Sequence, residues 1–227
     1  MKMNTYATAE GAAASPYAAD TRMTSVVSYP TRCDLWGDAA YRGNCDGSLF
    51  KNLVQRYNAK RIIDPMVGSG TMRDVVAGLR LHGNPDLRFW GGDLKDGFNL
   101  LVHTLPRDAD FVWIHPPYWN MIRYSDHPDD LSTFAEYPHF LEALETCLRR
   151  CHEALAPGGR LAVLVGDLRR KGKYTPIVRD VLNMEHQLGT LRSVIIKTQH
   201  HCRSDAKTYG LMPDVPIQHE YCTVFQK

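Results

Sequence analysis

Two short strings in this chain bring together residue types that do chemistry. At 115–119 the order is His115-Pro116-Pro117-Tyr118-Trp119. The histidine accepts or donates a hydrogen bond, and the two prolines stiffen the backbone from which the rings project. At 64–71 the order is Asp64-Pro65-Met66-Val67-Gly68-Ser69-Gly70-Thr71, an acid followed by a turn whose glycines let backbone N–H groups approach a ligand. A third feature is Asp93, which follows Phe89-Trp90-Gly91-Gly92, where a carboxylate at a strand end suits the hydroxyls of a ribose. The octet lacks the lysine of a phosphate-cradling loop and the full G-x-G-x-x-G dinucleotide fingerprint. Its glycines alone read equally as a ligand cradle or as an ordinary strand-to-helix turn. The proline string, taken alone, is a rigid turn holding core aromatics.

The elements that must position these strings follow from periodicity. Residues 1–24 are small and weakly patterned, so they are expected to form a disordered tail. Residues 25–47 mix Pro, Gly, Asp and aromatics without period and are expected to be irregular but docked. Ser48 is placed to cap a short amphipathic helix ending near Asn58. Beyond it, apolar runs at 61–64, 87–92, 111–114 and 160–165 read as buried strands. Helical stretches are expected at 72–81, 98–103, 137–155 and 175–188, with two further β-rich runs at 192–198 and 220–226. Strands alternating with helices predict one α/β domain over 25–227, a Rossmann-like, doubly wound, mostly parallel sheet with an antiparallel C-terminal strand. In such a sheet both strings open on the same edge, and that shared position favours a site over two unrelated turns.

The octet resembles the D-P-F-x-G-S-G-T segment of amino-group DNA methyltransferases, the adenine-N6 and cytosine-N4 enzymes, with Met66 in place of the usual aromatic residue. The string at 115–119 is similar to their (D/N/S)-P-P-(Y/F) catalytic loop, and Trp119 to members reading S-P-P-Y-W. It departs from the pattern in its first residue, His115. The segment 44–57 resembles the family's N-terminal cofactor-flanking region. This resemblance implies a class I methyltransferase fold and S-adenosyl-L-methionine as cofactor, with Asp64 facing its amino group and Pro65, Met66, Gly68, Ser69, Gly70 and Thr71 lining it. Asp93 would take the ribose. Asp96 either accepts from the adenine amino group or simply caps a helix. His115, Pro116, Pro117, Tyr118 and Trp119 would form the catalytic loop, and no metal is implied. In the family the first side chain and a proline carbonyl accept hydrogen bonds from the target NH₂, while the aromatic ring stacks on a flipped base.

Length and composition limit the alternatives. The 227 residues suffice for one domain. Apolar and charged fractions of 44% and 23% are those of a globular protein. No apolar run reaches membrane-spanning length and the start lacks the core of a signal peptide, so a cytoplasmic location without membrane partners is expected. Cys147 and Cys151, four apart on a helix, read as core residues rather than metal ligands. A net charge of +2 does not by itself point to nucleic acid. Local clusters do: Arg169, Arg170, Lys171 and Lys173 after a buried strand, Arg123 in the loop 120–132, and Arg203 and Lys207 in the loop 199–219. These are the candidate phosphate contacts of double-stranded DNA. About forty residues separate the two strings, too few for an inserted DNA-reading domain, so recognition falls to loops or to a second copy of the chain. Adenine N6 is favoured over cytosine N4 as the commoner chemistry of the family. Methylation of RNA or of a protein amide, and a non-catalytic DNA-binding regulator in which His115 marks lost chemistry, remain open alternatives.

Overall fold

Along three short runs the apolar side chains alternate between two groups. Ile62, Phe111, Trp113, Ala162 and Leu164 pack on one side, and Ile63, Val112, Ile114, Leu161, Val163 and Val165 on the other. Strands patterned in this way need cover on both faces. In the computed structural model, which describes residues 15–200 and 213–227, they form the centre of a seven-stranded sheet. The chain runs β1 (Val26–Ser28), α1 (Ser48–Arg56), β2 (Arg61–Asp64), α2 (Thr71–Leu81), β3 (Arg88–Gly91) and β4 (Ala109–Ile114). It continues through α3 (Tyr137–Ala154), β5 (Leu155–Val165), β6 (Leu168–Arg170), β7 (Lys173–Thr175), α4 (Ile177–Asn183), α5 (Glu185–Leu188), β8 (Thr190–Thr198) and β9 (His219–Gln226).

The strand order is β1-β8-β9-β5-β4-β2-β3, with β9 antiparallel to both neighbours and the other pairings parallel. Helices α1 and α2 cover one face; α3, α4 and α5 cover the other. This is a doubly wound, mostly parallel α/β sheet with one antiparallel strand, β9, at the C-terminal end of the element order. After β2 the chain passes through α2 to β3 on one side, whereas β4 pairs on the other side of β2. The order therefore reverses between β2 and β4, and a crevice opens beyond their carboxyl ends. Asp64 and Ile114 are the last residues of those two strands. β6 and β7 form a separate two-stranded hairpin directly after β5.

Four expectations are corrected. The docked segment 25–47 supplies an edge strand, β1, which pairs Val26 with Ile196. The stretch 98–103 is not a helix: the Asn99 side chain accepts the Leu101 N–H at 2.9 Å, a local bond that competes with helical pairing. One helix expected over 175–188 is two, broken at Met184 (φ −84°, ψ 5°). The expected tail is docked from residue 15 onward. Tyr17 stacks on His82 with 4.4 Å between ring centroids, and the Trp36 indole N–H donates to its hydroxyl at 3.2 Å. Lys51 and Gln55 donate to the carbonyls of Ala18 and Tyr17 at 2.5 and 2.8 Å, and Gly78 leaves the space that the Tyr17 ring occupies. Among the described residues no helix is long and apolar enough to cross a membrane.

Candidate active site

Strand β2 delivers Asp64 into the crevice with 2% of its surface exposed. Burial pushes its carboxyl up to about 7, against the one backbone N–H it accepts, from Met66 at 3.1 Å. No salt bridge engages it among the described residues. The loop that follows is held by its own backbone. Val67 N–H donates to the Gly92 carbonyl at 3.1 Å, and Gly70 N–H to Val67 at 2.8 Å. Gly68 (φ +51°) and Gly70 (φ +90°) occupy the left-handed region that favours glycine, and Gly70 turns the chain into α2. At Gly68 a Cβ would sit 3.2 Å from the Tyr41 ring, so the loop also passes close under that residue.

Asp93 stands just beyond β3 and accepts the Gly68 N–H at 2.8 Å through one carboxylate oxygen and the Lys95 N–H at 3.2 Å through the other. Lys95 reaches back over this loop, its ammonium bonded to the Gly68 carbonyl and 5.3 Å above the Tyr41 ring centroid. From the N-terminal side Asn44 accepts the Thr71 hydroxyl at 2.6 Å, which joins the segment before α1 to the start of α2.

The second string follows β4. His115 and Pro117 line the same cavity as Asp64, Gly68, Ser69 and Asp93, and the cavity is partly open to solvent. Burial lowers the His115 imidazole, Glu220 opposing and Lys197 adding to the effect, so the ring is neutral at neutral pH. Its Nε2 lies 2.8 Å from the Tyr118 hydroxyl, and that hydroxyl donates to Glu220 Oε1 at 2.7 Å. Glu220 pairs with Lys197 at 3.3 Å, and Lys197 with Asp46 at 3.1 Å. Glu220 and Lys197 are directly opposite partners in the β8–β9 ladder, each with about a tenth or less of its side chain exposed.

The remaining expected residues divide as follows. Pro65, Met66 and Thr71 line the cavity; Gly70 and Pro116 shape the loops without lining it. Asp96 is exposed and stands outside. Gly97 (φ +88°) closes a single helical turn after Asp93, and that leaves Asp96 on the solvent side. Trp119 does not face the cavity either. Its indole N–H donates to the Phe134 carbonyl at 2.8 Å and its ring meets Tyr137 edge-on at 5.2 Å, so it anchors the loop to the start of α3. The Tyr118 ring lies against Gly166, where any Cβ would collide with it, and is absent from the cavity wall. The aromatic residues on the wall are Tyr41, Phe98, Trp113 and Tyr124, of which Tyr41 and Tyr124 stack with centroids 6.3 Å apart.

Among the basic candidates, Arg169 folds onto residues 214–215, donating to the Val215 carbonyl at 3.1 Å and pairing with Asp214 at 3.7 Å. Arg170 donates to Asn120 at 2.7 Å, and Arg123 pairs with Asp126 at 2.8 Å. Lys171 and Lys173 are exposed at the tip of the β6–β7 hairpin. Arg203 and Lys207 lie outside the described residues. Sequence reasoning missed Tyr41, Asn99, Tyr124, Asp129 and Asp130, all on the cavity wall. The Asp129-Asp130 pair was the available signal, since two acids sit poorly in a loop meant for phosphates. Cys147 and Cys151 are buried in the core, and among the described residues no cluster of His, Cys, Asp or Glu is arranged to hold a metal.

No protein-family model and no curated protein matches the chain. Solved structures do. A protein of Thermus thermophilus provisionally named a DNA modification methylase is 22% identical over 74% of this chain and 53% of its own, with a TM-score of 0.39. Its complex with S-adenosyl-L-methionine aligns at 26% identity over 56% of this chain and 51% of that one, TM-score 0.38. A class I S-adenosylmethionine-dependent methyltransferase of Listeria monocytogenes, also provisionally named, aligns at 16% identity over 79% of this chain and 57% of its own, TM-score 0.49. The chain thus spans about half the length of the Thermus protein it matches.

Proposed function

We propose that the chain is an S-adenosyl-L-methionine-dependent methyltransferase acting on an exocyclic amino group of a base in double-stranded DNA, with adenine N6 the favoured target. One observation carries the reading: at the switch point of the sheet a single cavity is walled by both the Gly-rich loop with Asp64 and Asp93 and the His115-Pro116-Pro117 loop.

The residues present fit the cofactor. Asp64 is a buried carboxyl on the cavity wall that forms no salt bridge among the described residues, a placement that a ligand ammonium would satisfy. Asp93 offers acceptor lone pairs to sugar hydroxyls, and Gly68 allows close backbone approach. When bound, the cofactor supplies an electrophilic methyl on a sulfonium. A base amino nitrogen is a poor nucleophile because its lone pair conjugates with the ring. His115, kept neutral by desolvation, and a proline carbonyl of the loop accept hydrogen bonds from the two N–H groups and hold the nitrogen pyramidal and aligned for in-line transfer. Duplex DNA hides that group, so the base must be extruded. Tyr41 and Tyr124, rather than Tyr118 or Trp119, offer it an aromatic surface. Lys171 and Lys173 follow β5 towards the same edge of the sheet and serve as phosphate contacts.

The test is to offer methyl-labelled cofactor in parallel to duplex DNA, total RNA and protein. Label in DNA, released as an N-methylated base and lost in His115→Ala, is expected. Label in RNA or protein alone would move the substrate; label in none would overturn the activity.

A further inference from the structure

The loop 115–119 is joined to the far end of the chain by a buried relay that the reaction as described does not use. It runs from His115 Nε2 to the Tyr118 hydroxyl (2.8 Å), to Glu220 (2.7 Å), to Lys197 (3.3 Å) and to Asp46 (3.1 Å), whose second oxygen accepts the Ser48 N–H at 2.8 Å. Direction along it is decided at Glu220. Burial would raise that carboxyl, but the Lys197 ammonium, with the hydrogen bonds from Tyr118 and Gln199, holds it lowered, so Glu220 is an anion and only accepts. Tyr118 has one hydroxyl proton and gives it to Glu220. Towards His115 it therefore has only lone pairs, and Nε2 must be the ring nitrogen that carries hydrogen. In a neutral imidazole the other nitrogen, Nδ1, is then an acceptor.

We infer that Glu220, held by Lys197, is a positioning residue that fixes the Nε2–H tautomer of His115 through Tyr118, so that Nδ1 is kept as the acceptor for the substrate's amino group. The inference rests on the methyltransferase reading for what Nδ1 accepts, and on geometry alone for how the tautomer is set. It explains how a histidine serves where the related loops carry Asp, Asn or Ser. Those side chains always offer an oxygen acceptor, whereas histidine accepts at a given nitrogen in one tautomer only. It also explains why Tyr118 is withdrawn from the cavity wall: its hydroxyl, not its ring face, is the part in use.

Histidine labelled with ¹⁵N reports the tautomer directly by NMR, with His115 assigned from the signal missing in His115→Asn. The parent protein should show hydrogen on Nε2. Glu220→Gln leaves Lys197 paired with Asp46, and Tyr118→Phe keeps the ring in place; each should shift His115 to a tautomer mixture or to Nδ1–H. In parallel, single-turnover methylation by Glu220→Gln should fall roughly 10- to 100-fold, the worth of one hydrogen bond to a charged group, with cofactor affinity unchanged. A parent protein in the Nδ1–H form, a tautomer unmoved in both variants, or a tautomer shift without loss of rate would each overturn the inference. Absence of methyl transfer in the parent protein would overturn the proposed activity instead, while the NMR comparison still decides whether the relay sets the tautomer.

Discussion

The carboxylate of Asp93 accepts the backbone N–H of Gly68 at 2.8 Å, so the ends of two successive β–α units are tied together across the mouth of the cavity. Asp93 thus has two jobs, shaping the Gly-rich loop and offering acceptors to a ligand. Asp93→Ala should weaken cofactor binding about 10- to 100-fold, as loss of a hydrogen bond to a charged acceptor does. Calorimetry with the cofactor or its demethylated product measures this, and unchanged affinity would mean that the ligand sits elsewhere.

Asp64 should act on stability and on binding with opposite signs. Its folded-state pKa, about 7, lies above the ordinary value near 3.8, so the contribution is fully present below pH ~4 and is lost as pH rises through ~7. Without ligand, Asp64→Asn should therefore be more stable than the parent by roughly 2–4 kcal/mol at pH 8, a gap that closes on the approach to pH 4. The same variant should bind the cationic cofactor more weakly. Thermal melts across pH, with and without cofactor, separate the two effects; a destabilised Asn variant at pH 8 would show that the carboxylate is already paired.

His115 should impose an acid limb on the reaction. Burial, with Lys197, lowers its pKa below the ordinary 6.5 against the pull of Glu220, so the neutral ring persists at neutral pH and protonation begins only below pH ~6.5. Once protonated, both nitrogens are donors facing a donor NH₂. Single-turnover rates should fall as pH drops through that lowered value. His115→Asn should keep part of the rate without the limb, and His115→Ala should lose most of it. An Ala variant as fast as the parent would leave the loop carbonyl to act alone.

The basic residues after β5 should separate into two kinds. Replacing Lys171 and Lys173 with Ala should reduce the slope of log affinity for duplex DNA against log salt by up to about 2, in proportion to the phosphate contacts removed. Arg169→Ala should leave the slope nearly unchanged and lower thermal stability instead, because Arg169 is spent on Asp214 and the Val215 carbonyl. Filter binding over a salt series distinguishes them, and a slope unaffected by the lysines would make the hairpin tip a solvated face.

Both loops were readable in advance because each is a local string at a strand end, and a parallel sheet sends such ends to one edge. The helices at Thr71–Leu81 and Tyr137–Ala154 are legible for the same local reason, whereas 98–103 forms no helix and 175–188 divides at Met184. What escaped depends on pairing over long distances. Glu220 and Lys197 look like ordinary residues of two β-rich runs, and nothing local reveals that the β8–β9 register sets them opposite each other beneath Tyr118. The proline string implies aromatics at 118 and 119 that project into the site, but a left-handed backbone at Trp119 (φ +50°) turns its indole towards Phe134 and Tyr137. Arginine charge was legible; its consumption by Asp214, Asn120 and Asp126 was not.

The edge strand β1 has a consequence for the order in which the chain folds. Val26, Val27 and Ser28 find their strand partners at Ile196, Lys197 and Thr198. During synthesis these residues cannot make their ladder until residue 198 has left the ribosome, and pairing across so large a loop is a slow event. Until then β8 has a bare rim open to strands of other chains. The segment before the first motif thus acts as a clasp that closes late, and a shortened chain lacking it should be prone to join its copies edge to edge.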